Sequence, residues 1–151
     1  MAQRFEGPNP ACKLTRAADQ SINNVSSTAV SFDTVTYESH AGMGATGTQL
    51  KVQEAGIYHF VGQVGWESAS GGRQAWIKKN GAGLNFGEMS IPARTDGGQT
   101  HITVAVDLDM QPGDYVELYV YQNSGGSVNL EGSAASASSL SCYKVSELNV
   151  P

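Results

Sequence analysis

Apolar and polar residues alternate with a period of two along much of this chain. The clearest run is Tyr58, Phe60, Gly62, Val64 and Trp66, interleaved with His59, Val61, Gln63 and Gly65. Such ordering puts the first set on one face of a β-strand and the second set on the other. A second long apolar face is formed by Ile102, Val104, Val106, Leu108 and Met110, opposed by His101, Thr103, Ala105, Asp107 and Asp109. Val116, Leu118 and Val120 resume it after a turn. Shorter strands are predicted around Val30 and Phe32, Val35 and Tyr37, Val128 and Leu130, and Leu140 to Val145. No segment of useful length carries the i, i+3, i+4, i+7 pattern of an amphipathic helix.

Turn chemistry punctuates these runs. Asn80-Gly81 follows AWIKK and suits a tight hairpin, because both residues tolerate positive φ. Pro112-Gly113 suits a type II turn, with proline fixing one φ and glycine accepting the left-handed conformation. Gly56, after Glu54-Ala55, reads as another turn glycine with positive φ. Residues 40–49, 67–72 and 94–99 read as loops. Eight to ten short strands with regular turns in one unit predict an antiparallel sandwich or jelly roll. The expected division is an extended, proline-containing arm over 1–11 and an all-β jelly-roll domain of about ten strands over 12–151.

Composition adds a tension. At 151 residues the chain is sized for a single domain. Leu, Ile, Val and Phe make up only about a fifth of it, near the level at which chains fail to fold. The net charge of −5 is too small to favour disorder. One strand suggests where further burial is found: opposite Val116, Leu118 and Val120 stand Tyr115, Glu117, Tyr119 and Tyr121. Three tyrosines are much apolar area for a wet face, so Tyr115, Tyr119 and Tyr121 are expected to form a subunit interface. Fourteen acidic against nine basic residues argue against nucleic-acid binding. No apolar run reaches the ~20 residues that span a bilayer, and no membrane partner is expected. The first residues, MAQRFEGPNPACKLTR, lack the apolar core of a secretory signal.

Candidate chemistry is sparse. His40, His59 and His101 are dispersed, and no metal-hydrolase, nucleophile-elbow or phosphate-loop motif occurs. Asp107 and Asp109 share a strand face about 7 Å apart. With Asp114 they are a weak candidate calcium site or acid/base pair, and a solvated polar face explains them as well. Cys12 and Cys142 have no metal-ligand spacing, and the residues alone do not decide whether they pair. No enzyme activity and no cofactor are expected.

At residues 32–60 the spacing becomes that of a known family. From Phe32, five residues lead to Glu38, four to Met43, six to Leu50 and five to Gly56, and Gly56-Ile57-Tyr58-His59-Phe60 supplies a Gly-x-Tyr-x-Phe ending. This resembles the signature of the C1q-like domain, the ten-strand jelly roll shared with the tumour necrosis factor superfamily. Glu38 stands where Asn or Asp is usual, Met43 where an aromatic is, Leu50 where Phe is, and Gly62 where a final aromatic is. AWIKKNG and PGDYVELYVYQNSGG resemble bacterial and bacteriophage members more than animal ones, and these 151 residues contain no collagen-type repeat. The likeness spans about residues 13–146.

The resemblance implies a homotrimer, and it implies that the first and last strands lie side by side, bringing Cys12 and Cys142 together as a disulfide or as adjacent thiols. The functional expectation is a bacteriophage capsid decoration protein, made in the host bacterial cytoplasm and carried in the virion. It would bind the major capsid protein or another virion protein, with Arg4, Phe5, Pro8 and Pro10 of the arm as anchoring residues. The second reading is a tail or cell-surface module that binds a receptor or host glycan. Its loops 40–49, 67–72 and 94–99 would form the site, with Trp66, Arg73 and Trp76 as contacts.

Overall fold

The computed structural model describes residues 9–133 and 138–148. Among them are twelve strands and no helix: β1 (Ala11–Thr15), β2 (Gln20–Ile22), β3 (Thr28–Ala29), β4 (Thr34–Glu38), β5 (Gln49–Lys51), β6 (Gly56–Trp66), β7 (Gly72–Lys79), β8 (Phe86–Pro92), β9 (Thr100–Met110), β10 (Tyr115–Gln122), β11 (Val128–Leu130) and β12 (Ser139–Ser146). They form two antiparallel sheets, the jelly-roll sandwich that the alternation predicts. The larger has seven strands in the order β2-β11-β6-β12-β1-β4, with β9 along the other side of β6. The smaller has five, in the order β3-β10-β7-β8, with β5 also on β10.

The long alternating runs become the backbone of the sandwich. β6 and β9 pair over their full length, from Gly56 opposite Met110 to Trp66 opposite Thr100. Tyr58, Phe60, Val64 and Trp66 are buried, as are Ile102, Val104, Leu108 and Met110. From the smaller sheet, Ala75, Ile77, Val116, Leu118 and Val120 close on them. Fully burying one such side chain is worth roughly 1.5–3 kcal/mol, so the shared core outweighs any single turn.

The departures from the family spacing each find a physical account. Met43 and Leu50 are buried and fill core volume as smaller apolar side chains. The Glu38 carboxylate accepts a hydrogen bond from the Gly44 N–H at 2.9 Å, which pins the start of a loop. At Gly62 a side chain is excluded: a Cβ there would stand 2.6 Å from Leu118 Cδ1. Leu118 occupies that volume from the opposite sheet.

Both predicted turns form. Asn80 (φ 52°) and Gly81 (φ 66°) are left-handed, and the Ala82 N–H donates to the Lys79 carbonyl at 3.0 Å, as in a type I′ turn. Gly113 has φ 90°, and the Asp114 N–H donates to the Gln111 carbonyl at 3.0 Å, as in a type II turn. Gly56 does not behave as expected, for it is absent from the positive-φ residues. What it supplies is space, since a Cβ would collide with Lys144 Cε and lie 2.9 Å from the Ser146 carbonyl oxygen.

β1 lies between β12 and β4 in the larger sheet, with Cys12 directly opposite Cys142. The side-by-side placement implied by the resemblance is therefore present. Lys144 N–H to the Pro10 carbonyl (2.9 Å) and Arg16 N–H to the Ser138 carbonyl (3.2 Å) bracket this pair in register. The cysteines thus occupy a hydrogen-bonded position of the ladder, where Cα atoms are about 5.5 Å apart. Both are free thiols and buried. Burial pushes Cys12 up to about 11 and Cys142 up to about 12, the first helped by the Glu38 charge and the second by Cys12 itself.

Candidate functional site

The outer face of the larger sheet is built by the alternate residues of β6, β9, β12 and β1. Strand register sets one row across it: Ala11, Tyr143, His59 and Asp107 stand opposite one another on successive strands. The next row is Tyr37, Lys13, Ser141, Val61 and Ala105. Tyr143 is 54% exposed, Val145 52% and Tyr37 49%, although all three belong to strands with buried neighbours. The Tyr143 ring tilts against the His59 imidazole at 5.3 Å between centroids, and His59 Nδ1 lies 2.6 Å from Asp107 Oδ1. Aromatic, aliphatic and titratable groups are thereby gathered on one sheet surface. Exposed apolar patches of this kind mark interaction faces.

The tyrosine face of β10 has a different character. Tyr115, Tyr119 and Tyr121 are only partly exposed. Tyr119 stacks on Trp76 at 6.0 Å and lies under the Lys78 ammonium at 4.9 Å. Between the tyrosines, Glu117 is buried and accepts a 2.6 Å hydrogen bond from the Thr48 hydroxyl. Much of the area that suggested a subunit interface is thus covered by the chain's own β7 and the residues before β5. The tyrosines that stand exposed, Tyr37 and Tyr143, are on the opposite sheet. The two are far apart in sequence and share a face only through strand register. Tyr143 was open to detection from the alternation of Leu140, Cys142 and Lys144 inward.

The proposed ligand contacts require correction. Trp66 is 0% exposed and Trp76 4%, so neither indole is a stacking platform for a sugar. Arg73 is also fully buried, with its guanidinium 5.3 Å over the Trp66 ring. Its terminal nitrogens donate to the carbonyls of Ser70 (2.9 Å), Gly72 (3.1 Å) and Ala69 (3.0 Å), which ties down the loop before β7. Burial lowers the Arg73 pKa from its usual value. The guanidinium is a structural staple. The loops themselves divide: residues of 68–71 and 92–97 line one shallow cavity of about 630 Å³. Loop 40–49 packs elsewhere, with Met43 in the core and Gly44 against Cys12, Leu14 and Val35.

The three aspartates do not converge. Asp107 faces His59, whereas Asp109 and Asp114 approach Lys79 Nζ at 3.8 and 3.6 Å. Asp114 also accepts from the Gln111 N–H (2.8 Å) and the Asn80 amide (2.9 Å), which fastens the type II turn to the type I′ turn. Burial opposes its charge, but these two bonds and Lys79 together hold its pKa below the usual carboxylate value. Among the described residues no three His, Cys, Asp or Glu side chains form a metal-holding group. The candidate calcium site is withdrawn on that geometry. Of the anchoring residues, Arg4, Phe5 and Pro8 lie outside the described residues. Pro10 is buried and extends the β1–β12 ladder, so it is part of the sheet.

No family model matches the sequence, and no curated protein matches it either. Solved structures do match in shape. Murine APRIL at pH 5.0 superposes with a TM-score of 0.70 at 16% identity, covering 91% of this chain and 99% of that one. Eiger TNF from S. frugiperda gives 0.67 at 14% identity, covering 95% and 97%. The globular domain of zebrafish complement 1qA gives 0.62 at 14%, covering 91% and 98%. Both branches named by the Gly-x-Tyr-x-Phe spacing are represented, and the match runs nearly end to end: the chain folds as a C1q/TNF-like jelly roll.

Proposed function

We propose that the protein is a non-enzymatic C1q/TNF-like module that assembles as a homotrimer and decorates a bacteriophage capsid. The observation that carries self-association is the outer face of the larger sheet, where Tyr37, Tyr143 and Val145 leave about half their surface exposed. Trimers are typical of this fold, and burying those side chains supplies the apolar area that the lone chain lacks. The phage setting is supported by the sequence likeness of AWIKKNG and PGDYVELYVYQNSGG to phage and bacterial members. A decoration protein of this kind needs no chemistry: it stabilises the shell by binding the assembled state in preference to the open one.

Light scattering and sedimentation of the purified chain test the assembly. A trimer at micromolar concentration is expected, with Tyr143→Asp dissociating it and Tyr119→Asp leaving it intact. A wild-type monomer, or the reverse pattern of variants, overturns the interface. Electron microscopy of the particle tests the setting: regular sites over the capsid lattice are expected, and a few copies at the tail tip favour receptor or glycan binding instead. That second reading rests on the shallow cavity between residues 68–71 and 92–97.

A further inference from the structure

A cleft of about 370 Å³ opens on the outer face of the smaller sheet, at the ends of β7, β8 and β10. Register builds it from two rows of side chains. Tyr121, Gln74 and Ser90 stand opposite one another on β10, β7 and β8. Beyond them, Gly72 stands opposite Pro92 and receives Asn123, whose Oδ1 accepts the Gly72 N–H at 2.5 Å.

Gly72 is why the surface is concave. It follows the same face as Gln74 and Trp76, so a side chain there would project into the cleft. Its φ is not in the left-handed region, so the backbone does not require glycine. A Cβ would find nothing nearer than Asn123 Oδ1 at 3.3 Å, so the fold barely excludes one. The missing side chain creates room above the sheet.

The lining has the makeup of a site for a small polyol. Tyr121 is a partly exposed ring at one wall, and Pro92 and Ile91 provide apolar surface. The Gln74 amide, the Ser90 hydroxyl, the Asn123 Nδ2 and the Tyr121 hydroxyl have no hydrogen-bond partner among the described residues. No acidic side chain lines the cleft, and its one cation, Arg73, is fully buried with both terminal nitrogens donating to backbone carbonyls. Directional neutral donors and acceptors beside an aromatic ring match the alternating hydroxyls and C–H faces of a sugar. An anion would find no exposed positive charge.

We propose that this cleft, framed by Gly72, Gln74, Ser90, Tyr121 and Asn123, binds a neutral hexose or N-acetylhexosamine. It lies on the sheet opposite to the self-association face, so its occupancy does not depend on the trimer.

The test is a ¹H–¹⁵N NMR titration of the labelled protein, and of its Tyr143→Asp form if the assembly is too large. The probes are the methyl glycosides of glucose, galactose, mannose and N-acetylglucosamine, with N-acetylneuraminic acid as the anionic comparison. Saturable shifts centred on Gln74, Ser90, Tyr121 and Asn123 are expected for at least one neutral probe, with millimolar affinity. Gly72→Ala and Tyr121→Ala should each weaken binding about tenfold or more. Gln74→Ala is the second variant should the glycine substitution disturb folding, and unchanged melting of Gln74→Ala certifies that its loss of binding is local. No shift with any neutral probe at up to about 50 mM, where a Kd of a few millimolar would saturate the site, overturns the proposal. So does a preference for the anionic sugar, a shift pattern centred elsewhere, or full binding by the Tyr121→Ala and Gln74→Ala variants.

Discussion

Replacing Gly62 with alanine would place a methyl group in space that Leu118 already fills. The new Cβ would stand 2.6 Å from Leu118 Cδ1, and 3.2 Å from both Leu118 Cδ2 and Val104 Cγ2. Gly62 is not in a left-handed conformation, so the effect is one of packing alone. Leu118 and Val104 are both buried in the core between the sheets, and neither can swing into solvent. Overpacking of this kind costs about 1–3 kcal/mol. For a chain of this length each kcal/mol lowers the melting temperature by roughly 2–4 °C, so a fall of about 2–12 °C is expected. The cause is separable from a general intolerance of the site by a double-mutant cycle. Leu118→Ala alone should cost about 2–5 kcal/mol through the cavity it leaves. Joined to Gly62→Ala, it should cost at least about 1 kcal/mol less than the sum, because the added methyl fills part of that cavity. The assay is urea unfolding followed by near-ultraviolet circular dichroism at one fixed protomer concentration, since self-association of the proposed kind would add to apparent stability. Strict additivity, or a Gly62→Ala variant as stable as the parent, would refute the account of the missing aromatic.

The thiols of Cys12 and Cys142, held at about 11 and 12 by burial, should resist iodoacetamide at pH 8 in the folded chain and react at least about a hundredfold faster in urea; equal rates would show that the β1–β12 ladder opens freely. Asp33 accepts hydrogen bonds from the Ala17 N–H, the Thr34 hydroxyl and the Ala18 N–H, and these lower its folded pKa. Its contribution to stability is therefore present above the ordinary aspartate value and lost as pH falls through the lower folded one. Asp33→Asn should flatten the acid limb of a stability–pH curve below about pH 4 and leave its slope near neutrality unchanged. Asn80→Ala forfeits the bonds to Asp114 and to the Tyr115 N–H and strains a left-handed residue, and should cost about 1–3 kcal/mol in thermal unfolding.

The sandwich was legible wherever one strand face is buried and the other wet. β6, β9 and the inward half of β10 carry their pattern in plain alternation, and two turns declare themselves through Asn-Gly and Pro-Gly. β8 escaped notice for the opposite reason: an edge strand with most of FGEMSIP exposed has no alternation to display. The surfaces were harder to read because they are assembled by register. Tyr143, His59 and Asp107 become one row only when β12, β6 and β9 align, and the cleft at Gly72 depends on a side chain that is absent. A large aromatic near a loop reads as platform or core, but Trp66 belongs to the apolar face of β6, and its burial follows from that alternation. Trp76 is covered by Tyr119, a partner that reaches it only through the register of β7 and β10.

The pairing of β1 with β12 also sets an order of events. Residues 11–15 can find one of their two neighbours early, in β4, but the other is synthesised about 125 positions later. Until β12 emerges, one edge of β1 carries unpaired N–H and C=O groups, and β6 lacks most of its partners on that side. Closing the larger sheet is therefore a late, long-range step, of the kind that makes β-rich chains slow to fold. The same closure leaves the two ends of the domain beside each other. A circular permutant that joins them through a short linker and opens the chain at an exposed tip such as Gly97 would bring β1 and β12 together at the start of folding.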